Sequence, residues 1–183
     1  TGNENLKKRS YLEISDIYKS MRHDDKVTFK ALDKQIEILE QAVRDLKNED
    51  DLIITEAMAE AYFTAQHYDL SIRKFKRLLE LGYDRAYIYR NIAIIYQQTG
   101  EYEEAEKYLM QMMEKYPDNY QCYLQLAFLF LETEGLKAEE ERDYSKVLEN
   151  YNMAVKFAPE GENTSDLLPL ARMIEELKEK KWL

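Results

Sequence analysis

Two histidines and one cysteine supply all the imidazole and thiol chemistry in this 183-residue chain. His23 and His67 both fall in turns. Metal binding or acid–base work needs convergent partners, and no such cluster surrounds either one, so both read as solvated surface. Cys122 lies next to Tyr123 in an apolar helical stretch. With no His or Asn partner at hand it reads as a small buried side chain rather than a nucleophile. A glycine-rich phosphate loop and a GxSxG turn are both absent. The acidic runs Glu101–Glu106 and Glu139–Asp143 could attract a basic partner, but such charges more commonly keep a helical surface soluble. Met110, Met112 and Met113 resemble an adaptable binding surface, yet their helical setting favours packing. No catalytic residue, metal or cofactor is expected, and the chain is not expected to be an enzyme.

Function must then come from shape, which directs attention to the elements. Hydrophobic residues make up 45 % and charged residues 34 % of the chain, the composition of foldable material. Only 5 Gly and 3 Pro interrupt it, so long helices joined by short turns are expected. The net charge of −10 disfavours nucleic acid, whose phosphates need a basic stripe that is missing here. No apolar run approaches the roughly 18 residues of a membrane span. The polar start TGNENLKKRS lacks the apolar stretch of a signal peptide, so none is expected. A single cysteine fits a reducing compartment, and a cytoplasmic location is expected. The missing initiator Met suggests a piece excised from a longer protein.

The chain is organised around Ala86 to Asn119. Tyr89, Ile92, Ala93 and Tyr96 sit at the spacings of one helix, and Gly100 and Tyr102 mark a turn. Ala105 and Leu109 lie on a second helix, and Pro117 closes the unit. This order resembles the tetratricopeptide (TPR) pattern, with Tyr where the family often has Trp, Ala for its Gly and Leu for its Phe. Residues 52–85 align to it without a gap, through Met58, Ala59, Tyr62, Tyr68, Ser71 and Phe75. A third unit, 120–159, keeps register through Tyr123, Leu126, Ala127 and Phe130. It then slips by eight residues across Glu134–Glu141 before resuming with Tyr144, Val147, Tyr151 and Ala154. That insertion is expected to lengthen the second helix of the pair from Lys137, with Gly135 at the bend. Residues 6–51 give a divergent N-terminal hairpin, broken at His23-Asp24-Asp25, whose second helix runs from Val27 to Leu46. After the loop Glu160–Asn163, a helix capped by Thr164, Ser165 or Asp166 is expected to cover the end of the array at 164–181. The expected fold is thus all-α: a right-handed α-solenoid of TPR-like hairpins forming one domain, 1–183. Ser15, Ala59, Ala93 and Ala127 would permit close helix approach, with Tyr18, Tyr62, Tyr96 and Phe130 one turn on.

The resemblance implies a concave groove lined by the first helix of each hairpin. Its outward sites in this chain would be Ile53, Glu56, Glu60 and Phe63, then Tyr87, Arg90, Asn91, Ile94 and Gln97, then Gln121, Leu124, Gln125, Phe128 and Leu131. Ile94, Leu124, Phe128 and Leu131 would make an apolar strip, of the kind that marks interaction sites. The C-terminal helix, the lengthened helix or a neighbouring molecule could equally cover it. The family's clamp for acidic chaperone tails uses Lys, Arg and Asn. Here those sites read Leu12, Asp16, Ala57, Asn91, Gln121 and Gln125, and only Asn91 fits. A single Asn91 also departs from the Asn-rich groove of peptide-sensing bacterial TPR regulators. A mixed groove with Arg90 as its main cation better suits an amphipathic helix or apolar peptide. The expected function is a non-catalytic scaffold that binds a protein or peptide segment, which could be intramolecular. The alternative is the regulatory C-terminal region of a larger enzyme: in overall texture, with its missing Met and KKWL ending rather than in any motif, the chain resembles the TPR tails of some bacterial serine/threonine kinases.

Overall fold

In a computed structural model, residues 2–21, 28–159 and 164–183 are described. Among them every regular element is helical. The chain divides into two compact units, 1–84 and 85–183. The first contains α1 (Gly2–Ser20), α2 (Thr28–Leu46), α3 (Leu52–Thr64) and α4 (Tyr68–Glu80). The second contains α5 (Ala86–Gln98), α6 (Tyr102–Lys115), α7 (Tyr120–Gly135), α8 (Ser145–Phe157) and α9 (Leu167–Glu179). The pairs α1/α2, α3/α4, α5/α6 and α7/α8 pack as hairpins, and α9 lies against α8 and α7. Each unit is built from TPR-like helical hairpins, the repeating element of the α-solenoid class. The expected break at His23-Asp24-Asp25, the helix start at Val27 and the loop Glu160–Asn163 lie outside the described residues.

The small sites work as the spacing requires. Ser15, Ala59, Ala93 and Ala127 are all buried, where a larger side chain would hold the paired helices apart. Ser71, buried on α4, donates its hydroxyl hydrogen to the Ala59 carbonyl at 2.8 Å, so the close approach also joins the two helices. In the first unit Leu32, Leu39 and Ala42 of α2 share a core with Ile54, Met58, Ala61 and Tyr62 of α3. The Tyr62 hydroxyl reaches Glu40 at 2.9 Å. Burial, reinforced by that carboxylate, pushes its pKa up to about 12.

Helix ends follow from local chemistry. Asp51 caps α3, accepting from the Ile53 and Ile54 amides at 3.1 and 3.2 Å. The same turn geometry closes α3 and α5. His67 N–H bonds to the Tyr62 carbonyl and Gln66 N–H to Phe63, while Glu101 bonds to Tyr96 and Gly100 to Gln97. The geometry needs a left-handed residue, supplied by Gln66 at φ 58° and by Gly100 at φ 80°.

Two expectations fail at the C-terminal end. The extra residues of the third hairpin do not lengthen its second helix. Instead α7 runs on to Gly135, a 3₁₀ turn forms at Glu139–Glu141, and α8 begins only at Ser145. Buried Glu134 explains the path. Its carboxylate accepts from Lys137 Nζ at 2.6 Å and from the Asp143 amide at 2.9 Å, folding the segment back on itself. Asp166 holds the N-cap position of α9 but makes no capping bond, because its carboxylate accepts from the Tyr120 hydroxyl at 3.0 Å. Backbone bonds from Leu167 to Thr164 and from Leu168 to Ser165 open that helix instead.

Candidate interaction site

In the second unit α5 and α7 leave a solvent-open cavity of about 450 Å³, with α9 contributing one edge. Its apolar walls are Ile94, Phe128, Leu131 and Met173. Helical periodicity places Ile94 one turn before Gln97 and Gln98, and Gln125 one turn before Phe128, so each helix brings apolar and amide groups to one face. The polar groups are ordered. Gln125 Nε2 donates to Gln97 Oε1 at 2.8 Å, and Gln97 Nε2 donates to Glu132 Oε2 at 2.6 Å. The Tyr102 hydroxyl holds the other carboxylate oxygen at 3.0 Å. That bond raises the Tyr102 pKa, with burial adding to it.

Of the residues that the repeat pattern points outward, Ile94, Gln97, Gln125, Phe128 and Leu131 meet at this cavity. Leu124 does not. It is only 7 % exposed, in a core with Leu167, Leu170, Ile174 and Leu177. The amphipathic face of α9 thus covers the N-terminal part of the strip, which removes Leu124 from any accessible site. Arg90 is not the cavity's charged group either. It is half-buried, its Nη1 donates to Gln121 Oε1, and burial lowers its pKa. The Arg90 Nε is buried without a hydrogen-bond partner. Tyr87 and Asn91 are half-buried and line no part of this cavity. In the first unit, Ile53 of α3 is 52 % exposed and Phe63 half-buried. Glu60 accepts from Lys19 Nζ at 2.8 Å, and Glu56 accepts from the Tyr83 hydroxyl at 3.3 Å. Three cavity residues, Gln98, Glu132 and Met173, were not expected. Glu132 directly follows Leu131, which lies one repeat length after Gln97, and that adjacency is the signal that could have found it.

Cys122 is buried, donates to the Leu109 carbonyl at 3.2 Å, and has its thiol pushed up to about 12 by burial. So protonated a thiol is inert. His67 is exposed and its ring lies 6.2 Å from that of Tyr62. His23 is outside the described residues. Among the described residues no three His, Cys, Asp or Glu side chains gather in a metal-binding arrangement. Nor is any helix there long and apolar enough to cross a membrane.

Residues 86–119, which form α5, α6 and the turn after them, match the family model described as tetratricopeptide repeat. The chain thus carries a tetratricopeptide repeat at 86–119. Its hairpins are also like those of solved structures of MamA. MamA 41-end from Desulfovibrio magneticus RS-1 superposes with a TM-score of 0.63 at 17 % identity, covering 94 % of each chain. MamA of MSR-1 gives 0.58 at 14 % identity, covering 84 % of this chain and 87 % of its own. At such identities the likeness is one of fold. A mitochondrial pentatricopeptide repeat-containing protein of Arabidopsis thaliana is 28 % identical over 135 residues, 68 % of this chain. The match spans only 27 % of that protein's length.

Proposed function

We propose that this chain is a non-catalytic protein-interaction scaffold that binds a peptide or amphipathic helix on the α5/α7 face. One observation carries the reading: Ile94, Phe128, Leu131 and Met173 wall a solvent-open cavity that their own core leaves unfilled. Its volume falls within the roughly 300–1,000 Å³ of small binding sites, and its mix of apolar walls with a few ordered polar groups is their usual makeup. The TPR repeats and the MamA-like fold support a scaffold role, and the protonated Cys122 and isolated His67 offer no competing catalytic centre. No described residue favours the alternative of a kinase regulatory tail.

Hydrogen exchange on the whole chain, with and without a peptide selected from a random dodecapeptide library, tests the reading. Added protection should fall on 94–98 and 125–132. Protection confined to α6 or α8 would overturn it.

A further inference from the structure

The cavity has a sign as well as a shape. Eight side chains line it, and only one is ionisable in the ordinary range, the Glu132 carboxylate at the exposed rim. Donors already hold both of its oxygens, Gln97 on Oε2 and Tyr102 on Oε1. Gln97 is in turn oriented by Gln125. A carboxylate has about four acceptor positions, so lone pairs remain for a third and fourth donor. The charge is therefore fixed in place beside an apolar hollow before any partner arrives. Among the described residues no Lys or Arg lines the hollow, and the net charge of −10 draws cations toward the chain as a whole.

We propose that the occupant is a basic-amphipathic protein segment, in which one bulky apolar side chain is followed within a turn by Lys or Arg. The apolar group seats among Ile94, Phe128, Leu131 and Met173. The cation pairs with Glu132, which Gln97 and Tyr102 keep from swinging away. An acidic segment is rejected by the same carboxylate. This rests on the binding reading above and names its partner chemistry.

The test is a charge swap at an exposed position, which leaves the core untouched. A random dodecapeptide display library is selected separately on the wild-type chain, Glu132→Gln and Glu132→Lys, with thermal melts confirming that each is folded. The wild-type chain should enrich peptides that combine a large apolar residue with Lys or Arg. Glu132→Gln should keep the apolar residue, lose the cation preference and bind wild-type-selected peptides about fivefold more weakly, the upper range for an exposed ion pair. Glu132→Lys should enrich Asp or Glu in place of the cation. A wild-type motif without a cation, or one that ignores both substitutions, overturns the proposal. If the selected peptides bind Met173→Glu and Phe128→Ala chains as tightly as wild type, the cavity is not the site and the underlying reading falls as well.

Discussion

The turns that close α3 and α5 make the same pair of backbone hydrogen bonds with different residues at the left-handed position. Gln66 holds φ 58° and Gly100 holds φ 80°. An L-residue in this conformation costs about 1–2 kcal/mol, because Cβ crowds the following carbonyl. Glycine avoids that cost but loses more freedom on folding, about 0.5–1 kcal/mol. The difference predicts that Gln66→Gly stabilises the chain by about 0.5–1 kcal/mol. Nothing opposes the gain, since the Gln66 side chain is exposed. The reciprocal change isolates the backbone. A Cβ built on Gly100 meets nothing within 4 Å, so Gly100→Ala carries no steric term beyond its dihedral and should cost about as much as Gln66→Gly gains. Urea unfolding measures both. With a slope of about 1–3 kcal/mol per molar, the midpoints should move by roughly 0.2–1 M in opposite directions. The single tryptophan, Trp182, belongs to the same compact unit as Gly100, so its fluorescence follows that substitution directly, while far-UV circular dichroism follows both. A lowered midpoint for Gln66→Gly, or a neutral Gly100→Ala, would refute the reasoning.

Two further outcomes follow from the C-terminal end. Trp182 stacks on Tyr144 with ring centroids 5.8 Å apart, and Arg142, at 5.4 Å from the ring, also donates to the Lys137 and Gly135 carbonyls. Arg142→Ala should therefore loosen α9, red-shift Trp182 emission and lower the fluorescence-monitored stability by about 0.5–1 kcal/mol; unchanged emission would count against this contact. Burial works to raise the Glu134 pKa, but the Asp143 amide and the Lys137 ammonium hold it below the usual carboxylate value. A lowered folded pKa means the unfolded chain takes the proton first. Glu134 thus contributes stability above its ordinary pKa, near 4.3, and loses it as the pH falls through the folded value. Glu134→Gln should be less stable than wild type at neutral pH, with the gap narrowing in that acid range, and melts compared across it would show a constant gap if the idea is wrong.

The hairpins were legible because their signals are local. Ala59, Ala93 and Ala127 recur at fixed spacing, each followed by an aromatic residue one turn on, and all three are buried as that rhythm requires. The inserted segment was not legible. Its residues have helical composition, and the bonds that turn it back, from Lys137 and Asp143 to Glu134, depend on which carboxylate becomes buried. The lining of the candidate cavity was half legible. Outward positions on α5 and α7 could be counted along the repeat, which located Ile94, Gln97, Phe128 and Leu131. Which of them α9 would cover could not be counted, and neither could the arrival of Met173.

By itself the sequence determined the helices, their pairing and the small-residue contacts that hold each hairpin together, since each depends on neighbours a few residues away or one repeat on. Tertiary structure alone decided that Leu124 is buried while Phe128 still faces a cavity, and that the charge at its rim is negative. Those outcomes depend on where α9 comes to rest and on two side chains, from α5 and α6, converging on Glu132 near the end of α7. Such long-range packing leaves no period in the chain to read.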